Sequence, residues 1–168
     1  EYLPFGKQFP KLYDWIPTAG RTSRGPSSVP IDFKHRRLGI LICYEDILPE
    51  YTRRLVGDGV DLLLNLTNDA WFGKTQEARQ HFILALFRSV EHRRTLVRST
   101  TTGISGTVSP TGEILNMTNP LDRETFVADV PLLQGTTVYR SWGHWFPLVL
   151  EILTGLMALF GLMARKKK

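Results

Sequence analysis

The 168-residue sequence contains a single cysteine, Cys43. One thiol excludes an intramolecular disulfide framework and a zinc cluster of the CxxC type. The sequence also lacks a basic-then-apolar leader and begins with Glu1 instead of methionine, so we expect a processed product or a fragment. We expect neither a metal ion nor a cofactor.

Outside the C-terminus the chain has little net positive charge. The net charge is +5, and four of the positive charges form the run Arg165-Lys166-Lys167-Lys168 directly after an apolar segment. The rest of the chain is therefore nearly neutral. This distribution favours a membrane boundary over a nucleic-acid-binding face, and no nucleic-acid partner is expected.

The remaining composition, 42% hydrophobic and 22% charged, is typical of a folded domain. Residues 1–36 are predicted to be loop-rich, because Pro, Gly and Ser are concentrated between residues 20 and 30. The apolar runs 37–43 and 61–66 predict strands buried on both faces of a sheet. Helical patterns over 49–56 and 75–94 alternate with them, which predicts the α/β class.

Further strands are predicted over 95–100, 104–108, 113–115 and 125–130. The sequence Ser109-Pro-Thr-Gly112 predicts a turn that makes the second and third of these a hairpin.

The last segment, 145–164, has about the roughly 20 residues that a bilayer crossing needs. It contains one charge, Glu151, and lies between Trp142 and Trp145 at one end and the basic run at the other. This pattern predicts a transmembrane helix with a cytoplasmic C-terminus, and hence two regions, a folded 1–141 and a membrane-spanning 142–168. A buried core helix or an amphipathic surface helix is the alternative.

Cys43 is the last residue of the first predicted strand and precedes Tyr44-Glu45-Asp46. A thiol at a strand end can become a nucleophile when a base or a positive field stabilises its thiolate. Adjacent carboxylates disfavour the thiolate, so a positive partner must come from elsewhere. The alternative is an ordinary small core residue.

Several motifs at and after the Cys43 strand resemble those of a known family. Leu38-Gly-Ile-Leu-Ile-Cys43-Tyr-Glu45 resembles the nucleophile strand of the nitrilase superfamily, and Asn65-Leu-Thr-Asn68-Asp-Ala-Trp71-Phe72-Gly73 resembles its apolipoprotein N-acyltransferase branch. Other matching segments follow in order: Gln80-His81, Arg88 to Arg93 and Arg98 to Ser105, with Glu1-Tyr-Leu-Pro at the start.

The resemblance implies that 1–141 is the C-terminal portion of the catalytic domain, a partial α-β-β-α sandwich, followed by one C-terminal transmembrane helix. Members use a glutamate as general base, a lysine that stabilises the oxyanion, and a cysteine nucleophile. Cys43 matches the cysteine, whereas the glutamate and the lysine would precede Glu1, so little or no activity is expected of this chain alone.

The implied reaction moves a fatty acyl group through a Cys43 thioester. A phospholipid is the implied acyl donor, and the amino group of a diacylglyceryl-cysteine at a lipoprotein N-terminus is the acceptor. The implied location is the bacterial cytoplasmic (inner) membrane, with the catalytic domain on the outer, periplasmic face.

Other site residues follow from the same resemblance. Glu45 is implied as a supporting carboxylate and Glu1 as an accessory glutamate; both could instead be solvated surface residues. Trp71 and Phe72 could line an acyl or headgroup pocket, although aromatics at that spacing are often core.

Tyr44 and Asn68 are assigned to substrate binding with these aromatics. For Asn68-Asp69, turn and capping chemistry is the interpretation from the residues themselves. His81 is interpreted as structural, since no Asn or Asp signature completes a Cys–His arrangement with Cys43.

Two other functions stay open. A soluble nitrilase-like amidase or carbamoylase would use the same thiolate chemistry on a small C–N bond, and would be favoured if 145–164 did not partition into bilayers. A non-catalytic membrane-tethered module would bind only lipid or protein, and would be excluded if an N-terminal piece restored activity.

Overall fold

A computed structural model describes residues 8–11, 14, 29–57, 59–143 and 145–165 of the protein. Its strands are β1 Ile31–Phe33, β2 Arg36–Ile42, β3 Leu62–Thr67, β4 Thr95–Thr100, β5 Gly106–Val108 and β6 Ile114–Met117. Its α-helices are α1 Pro49–Gly57, α2 Glu77–His92, α3 Val138–Trp142 and α4 Trp145–Arg165. Two 3₁₀ helices, Cys43–Ile47 and Asp69–Phe72, follow β2 and β3.

The six strands form one sheet in the order β1-β2-β3-β4-β5-β6. The central strands β2, β3 and β4 are parallel, and the outer pairings are antiparallel. Parallel neighbours need a crossover, which α1 and α2 supply. The predicted alternation of strands and helices over 37–100 is confirmed, and the protein is of the α/β class.

The core lies between the helices and one face of this sheet. Its fully buried strand side chains include Leu41, Leu63 and Leu96, which pack in one cluster with Leu55 of α1 and Phe82 of α2. Successive strand side chains point to opposite faces, so every second residue of an apolar run enters this core.

Two-sided burial of the apolar runs is not seen in the described residues. On the other face of the sheet, Ile40 and Leu64 are half-buried, and Ile42 and Leu66 are 51% and 49% exposed. Within the described ranges there is one sheet, with a helix layer on one side and an incompletely covered apolar surface on the other.

The hairpin prediction is confirmed and the last strand prediction is wrong. Ser109 and Glu113 close the β5–β6 turn through a 2.8 Å backbone hydrogen bond, and Gly112 takes the positive φ of +90° that the turn requires. Residues 125–130 form no strand. Pairing partners decide whether a β-favouring segment becomes a strand.

Side chains hold the segment after this stretch against the amino end of the sheet. Gln134 Nε2 donates to Asp61 Oδ1 at 3.1 Å, and Thr95 Oγ1 donates to the Pro131 carbonyl. These two side-chain contacts attach residues 131–134 to the sheet.

The C-terminal part contains α3 and α4. Thr137 caps α3 by accepting a hydrogen bond from the Arg140 amide at 3.0 Å. Among the described residues, no helix combines the length and the apolar character that a membrane crossing requires. The predicted transmembrane helix over 142–168 is therefore not confirmed, and residues 166–168 of its basic end lie outside the described residues.

We expect Leu63→Ala to lower the free energy of unfolding by about 2–5 kcal/mol, because it removes a fully buried side chain and leaves a cavity. The control is Leu66→Ala on the opposite face of the same strand, with an expected loss of well under about 1 kcal/mol. Urea denaturation of the two variants and the wild type checks this. Equal losses would contradict the one-sided core.

Candidate active site

The only cysteine lies on a sharp turn at the carboxyl end of β2. Cys43 is the first residue of the first 3₁₀ helix, is half-buried, and has a φ of +52°. A non-glycine residue in this left-handed region costs roughly 1–3 kcal/mol unless its surroundings hold it there. The predicted strand end is thus an elbow, which lifts Cys43 out of the sheet.

Contacts on both sides of Cys43 hold this elbow. The Ile42 amide, one residue before, donates to Glu45 Oε2 at 2.7 Å. The carbonyl of Cys43 itself accepts from Asn65 Nδ2 at 3.2 Å, and the same amide nitrogen donates to the Leu41 carbonyl at 3.2 Å.

Asn65 is fully buried in the middle strand of the parallel set. Its backbone is in register with Leu41 of β2 on one side and Arg98 of β4 on the other. Its Oδ1 accepts from Arg98 Nη1 at 2.6 Å. One side-chain amide therefore joins the elbow to a charged group two strands away.

A buried network of charges surrounds Arg98, which is 1% exposed. Its Nη1 also donates to Asp46 Oδ2, and its Nη2 donates to Asp69 Oδ2 at 3.0 Å. The two carboxylates also flank His81, with Nε2 2.9 Å from Asp46 Oδ1 and Nδ1 3.0 Å from Asp69 Oδ1. Buried charges are tolerated only when paired and hydrogen-bonded in this way.

The imidazolium form of His81 suits these surroundings. Burial alone would lower the pKa of His81, but hydrogen bonds to Asp46 and Asp69 outweigh burial and raise it above its ordinary 6.5. With both ring nitrogens donating, two cations balance two carboxylates. The 3.0 Å approach of Arg98 Nη2 to His81 Nδ1 then reflects two donors sharing the Asp69 carboxylate and is not itself a hydrogen bond.

The pKa of Asp69 is shifted in the opposite direction. Burial would raise the pKa of Asp69, but its hydrogen bond with His81 and the charge of Arg98 together lower the pKa below its ordinary 3.8. Asp69 thus stays ionised at neutral pH. The interpretation of His81 as structural agrees with its two carboxylate partners.

An aromatic group covers the network beside Cys43. The Tyr44 ring stacks on His81 with centroids 5.0 Å apart, and Phe72 meets both rings edge-on at 6.2 and 5.9 Å. Trp71 is 69% exposed. Tyr44 and Phe72, assigned to substrate binding from the sequence, therefore lie together.

The other predicted site residues have different positions. Asn68 Oδ1 accepts from the Ala70 amide at 3.1 Å, so Asn68 caps the second 3₁₀ helix, as its capping interpretation predicts. Glu45 stabilises the elbow. Burial is the main cause of the raised pKa of Tyr51, and the neighbouring Glu45 raises this pKa further. Glu1 lies outside the described residues.

Sequence reasoning missed most of the charged network. Asn65 carried a usable signal, since it interrupts the apolar run Leu62-Leu-Leu-Asn65-Leu, and a polar residue inside a buried strand needs a partner. The described residues contain no group of three or more His, Cys, Asp or Glu side chains that could hold a metal ion.

A parallel sheet with a thiol on a strand-to-helix turn at its carboxyl edge is typical of α/β enzymes that act through a nucleophile. The sequence profile of the carbon-nitrogen hydrolase family matches residues 7–159, and the chain belongs to this family.

Among its relatives are apolipoprotein N-acyltransferases of three bacteria. That of Bdellovibrio bacteriovorus is 38% identical over 180 aligned positions, covering 100% of this chain and 32% of the relative. Those of Geobacter metallireducens and Treponema pallidum are 37% and 34% identical, covering 87% and 85% of this chain and 28% and 27% of the relatives. The chain thus spans a third or less of these curated relatives.

Solved structures share the fold. A carbon-nitrogen hydrolase from Helicobacter pylori G27 matches with a TM-score of 0.53 at 15% identity, over 58% of this chain and 41% of that one. An amidase from Nesterenkonia sp. matches with a TM-score of 0.52 at 24% identity, over 62% of this chain and 41% of that one.

The Asp69–Arg98 contact depends on a glycine. A Cβ added at Gly103 would overlap Asp69 Oδ2, so Gly103→Ala must displace this carboxylate. We expect a loss of about 3–5 kcal/mol in unfolding free energy, the usual result of breaking a buried ion pair. Gly57→Ala, where an added Cβ meets nothing within 4 Å, is the control. Denaturant titration measures both, and a Gly103→Ala loss as small as the control's would contradict the network.

A pH titration of stability tests the charge state of His81. Because its pKa is raised, its stabilising contribution is fully present below pH 6.5 and is lost as pH rises through the higher folded pKa. The difference in unfolding free energy between the wild type and His81→Asn should therefore shrink across that window.

The exposed His35, replaced in His35→Asn, is the control. His92, whose pKa burial lowers to about 4, contributes equally to all three proteins. A wild-type advantage that grows with pH above 6.5 would refute the imidazolium assignment.

Proposed function

We propose that the chain is the nucleophile-bearing part of an apolipoprotein N-acyltransferase, which moves a fatty acyl group from a phospholipid to the amino group of a diacylglyceryl-cysteine. The observation that carries the proposal is Cys43 itself, a half-buried thiol on a backbone elbow that several contacts keep in a costly conformation. Its relatives named apolipoprotein N-acyltransferase support the choice of reaction.

In the first step, the Cys43 thiolate attacks the ester carbonyl carbon of the phospholipid. The C–S bond forms, the ester C–O bond breaks, and the leaving glycerol oxygen takes up a proton to give a lysophospholipid. The acyl group is then held as a thioester on Cys43.

In the second step, the amino group of the acceptor attacks the thioester carbonyl. A C–N bond forms, the C–S bond breaks, and the amine loses a proton as the thiol is regenerated. Because the donor product leaves before the acceptor reacts, the kinetics are ping-pong.

The neighbours of Cys43 have separate roles in this scheme. Glu45 holds the elbow through the Ile42 amide, as a supporting carboxylate should. Tyr44, which follows Cys43 in the chain, and Phe72 pack together as a wall for the acyl chain, and the exposed Trp71 extends it toward the lipid. Glu1 as accessory glutamate, and an upstream general base and oxyanion lysine, stay predictions.

We infer that the sheet is one half of an α-β-β-α sandwich. The half-buried apolar face that carries Ile40 and Leu64 is suited to a second sheet, because apolar sheet faces are stable only when covered. The division into 1–141 and 142–168 stays a prediction as well.

We place the enzyme at the bacterial inner membrane, since its donor and acceptor are both lipid-bearing. The described side chains of α4 between Trp145 and Phe160 are exposed and mostly apolar, which supports contact with a bilayer. The predicted orientation, with the catalytic domain outside and the C-terminus inside, remains part of this proposal.

Acyl labelling tests the proposal. When the complete gene product is incubated with a phospholipid carrying a labelled acyl chain and no acceptor, we expect label to accumulate on the Cys43 peptide. Neutral hydroxylamine should release it, as expected of a thioester, and mass spectrometry of the digested protein measures both. Cys43→Ala should acquire no label.

Adding a diacylglyceryl-cysteine peptide should discharge the labelled enzyme and produce an N-acylated peptide. Transfer by Cys43→Ala, or an unlabelled Cys43 in an active enzyme, would refute the thioester mechanism. Hydrolysis of small amides without any acyl transfer would favour the amidase alternative instead.

A further inference from the structure

The backbone at Cys43 is strained, so something other than the local sequence must hold it. Its φ of +52° is a conformation that cysteine rarely adopts, because Cβ crowds the carbonyl oxygen. Glu45 fixes the amide of Ile42, which precedes the elbow. The carbonyl of Cys43 is fixed by a different group, Asn65 Nδ2.

Fixing this carbonyl fixes the whole peptide that follows. The peptide unit is planar and trans, so its C=O and N–H point in opposite directions. With the Cys43 oxygen turned toward Asn65, the Tyr44 N–H is turned away from it. Together with the backbone before Cys43, this peptide sets the direction of the Cα–Cβ bond of Cys43.

The Asn65 amide is itself locked. Arg98 Nη1 donates to its Oδ1 at 2.6 Å, so Oδ1 must accept and Nδ2 must donate. Nδ2 therefore faces the carbonyl of Leu41 in β2 and that of Cys43 just after it.

We propose that Asn65, oriented by Arg98, is a positioning residue that holds the Cys43 elbow in its reactive geometry. This inference deepens the proposed function and rests on it for the reaction that Cys43 carries out. Asn65 meets Cys43 at its backbone carbonyl, and Arg98 acts through Asn65. They act on the position of the thiol, and misplacing a reacting group by about 1 Å can cost roughly 10²-fold in rate.

Asn65→Asp is the direct test. The new carboxylate keeps an oxygen for Arg98 but places a second oxygen where Nδ2 donated, so it repels the Cys43 carbonyl. We expect the single-turnover rate of Cys43 acylation by labelled phospholipid to fall at least about tenfold, with the half-saturating phospholipid concentration changed less than about twofold. Amide hydrogen exchange over residues 42–46 should become faster.

Asn65→Ser gives a second variant in case the carboxylate prevents folding, because its short hydroxyl cannot bridge Arg98 and Cys43. Arg94→Met is the matched control. Arg94 is as buried as Arg98 but lies before β4, at the opposite end of the sheet, where it donates to the carbonyls of Val60 and Gly135. This control should destabilise the fold while leaving the acylation rate of the folded protein and the exchange at 42–46 unchanged.

If both Asn65 variants kept the wild-type rate of Cys43 acylation and the wild-type amide exchange at 42–46, the positioning role would be overturned. The proposed function would not be affected. Faster exchange at 42–46 in the Asn65 variants alone, with no acylation of the wild type, would support the positioning role and refute the proposed function. If Arg94→Met changed the acylation rate and the exchange at 42–46 as much as the Asn65 variants do, the cause would be a general loss of stability. That result would also overturn the positioning role.

Discussion

The structure depends on one buried cation, the guanidinium of Arg98. A charge excluded from water must be matched by acceptors in fixed positions, and Arg98 finds Asp46, Asp69 and Asn65 around it. The carboxylates come from the two 3₁₀ helices that follow β2 and β3, so meeting this requirement fixes both loops at the carboxyl edge of the sheet. Removing either carboxylate leaves an uncompensated charge in the core.

The same requirement explains how a strained elbow can persist. The cost of a left-handed Cys43 is roughly 1–3 kcal/mol, which one or two well-oriented hydrogen bonds can offset. Asn65 supplies such a bond only because Arg98 decides which end of its amide donates. Electrostatics in the core and the geometry of the thiol are therefore coupled through a single neutral side chain.

The sequence predicts the central fold well because its signals there are local. Apolar runs and helical periodicity locate β2, α1, β3, α2 and β4 within a few residues, and the turn at Gly112 gives the hairpin. The failures concern partners distant in the chain. The strand expected at 125–130 had no ladder to join, and the contacts between Arg98 and Asp46 span 52 positions. The motif around Cys43 identifies it as the candidate nucleophile, whereas nothing in the sequence predicts its positive φ.

The charged network, acting through Asn65, keeps Cys43 in the left-handed conformation. The φ angle of Cys43 can be measured in solution from its three-bond HN–Hα coupling and cross-correlated relaxation, in the wild type and in Asn65→Asp. We expect a positive φ near +52° in the wild type and a negative or averaged φ in the variant. An unchanged positive φ in both proteins would contradict the role of Asn65 in holding Cys43.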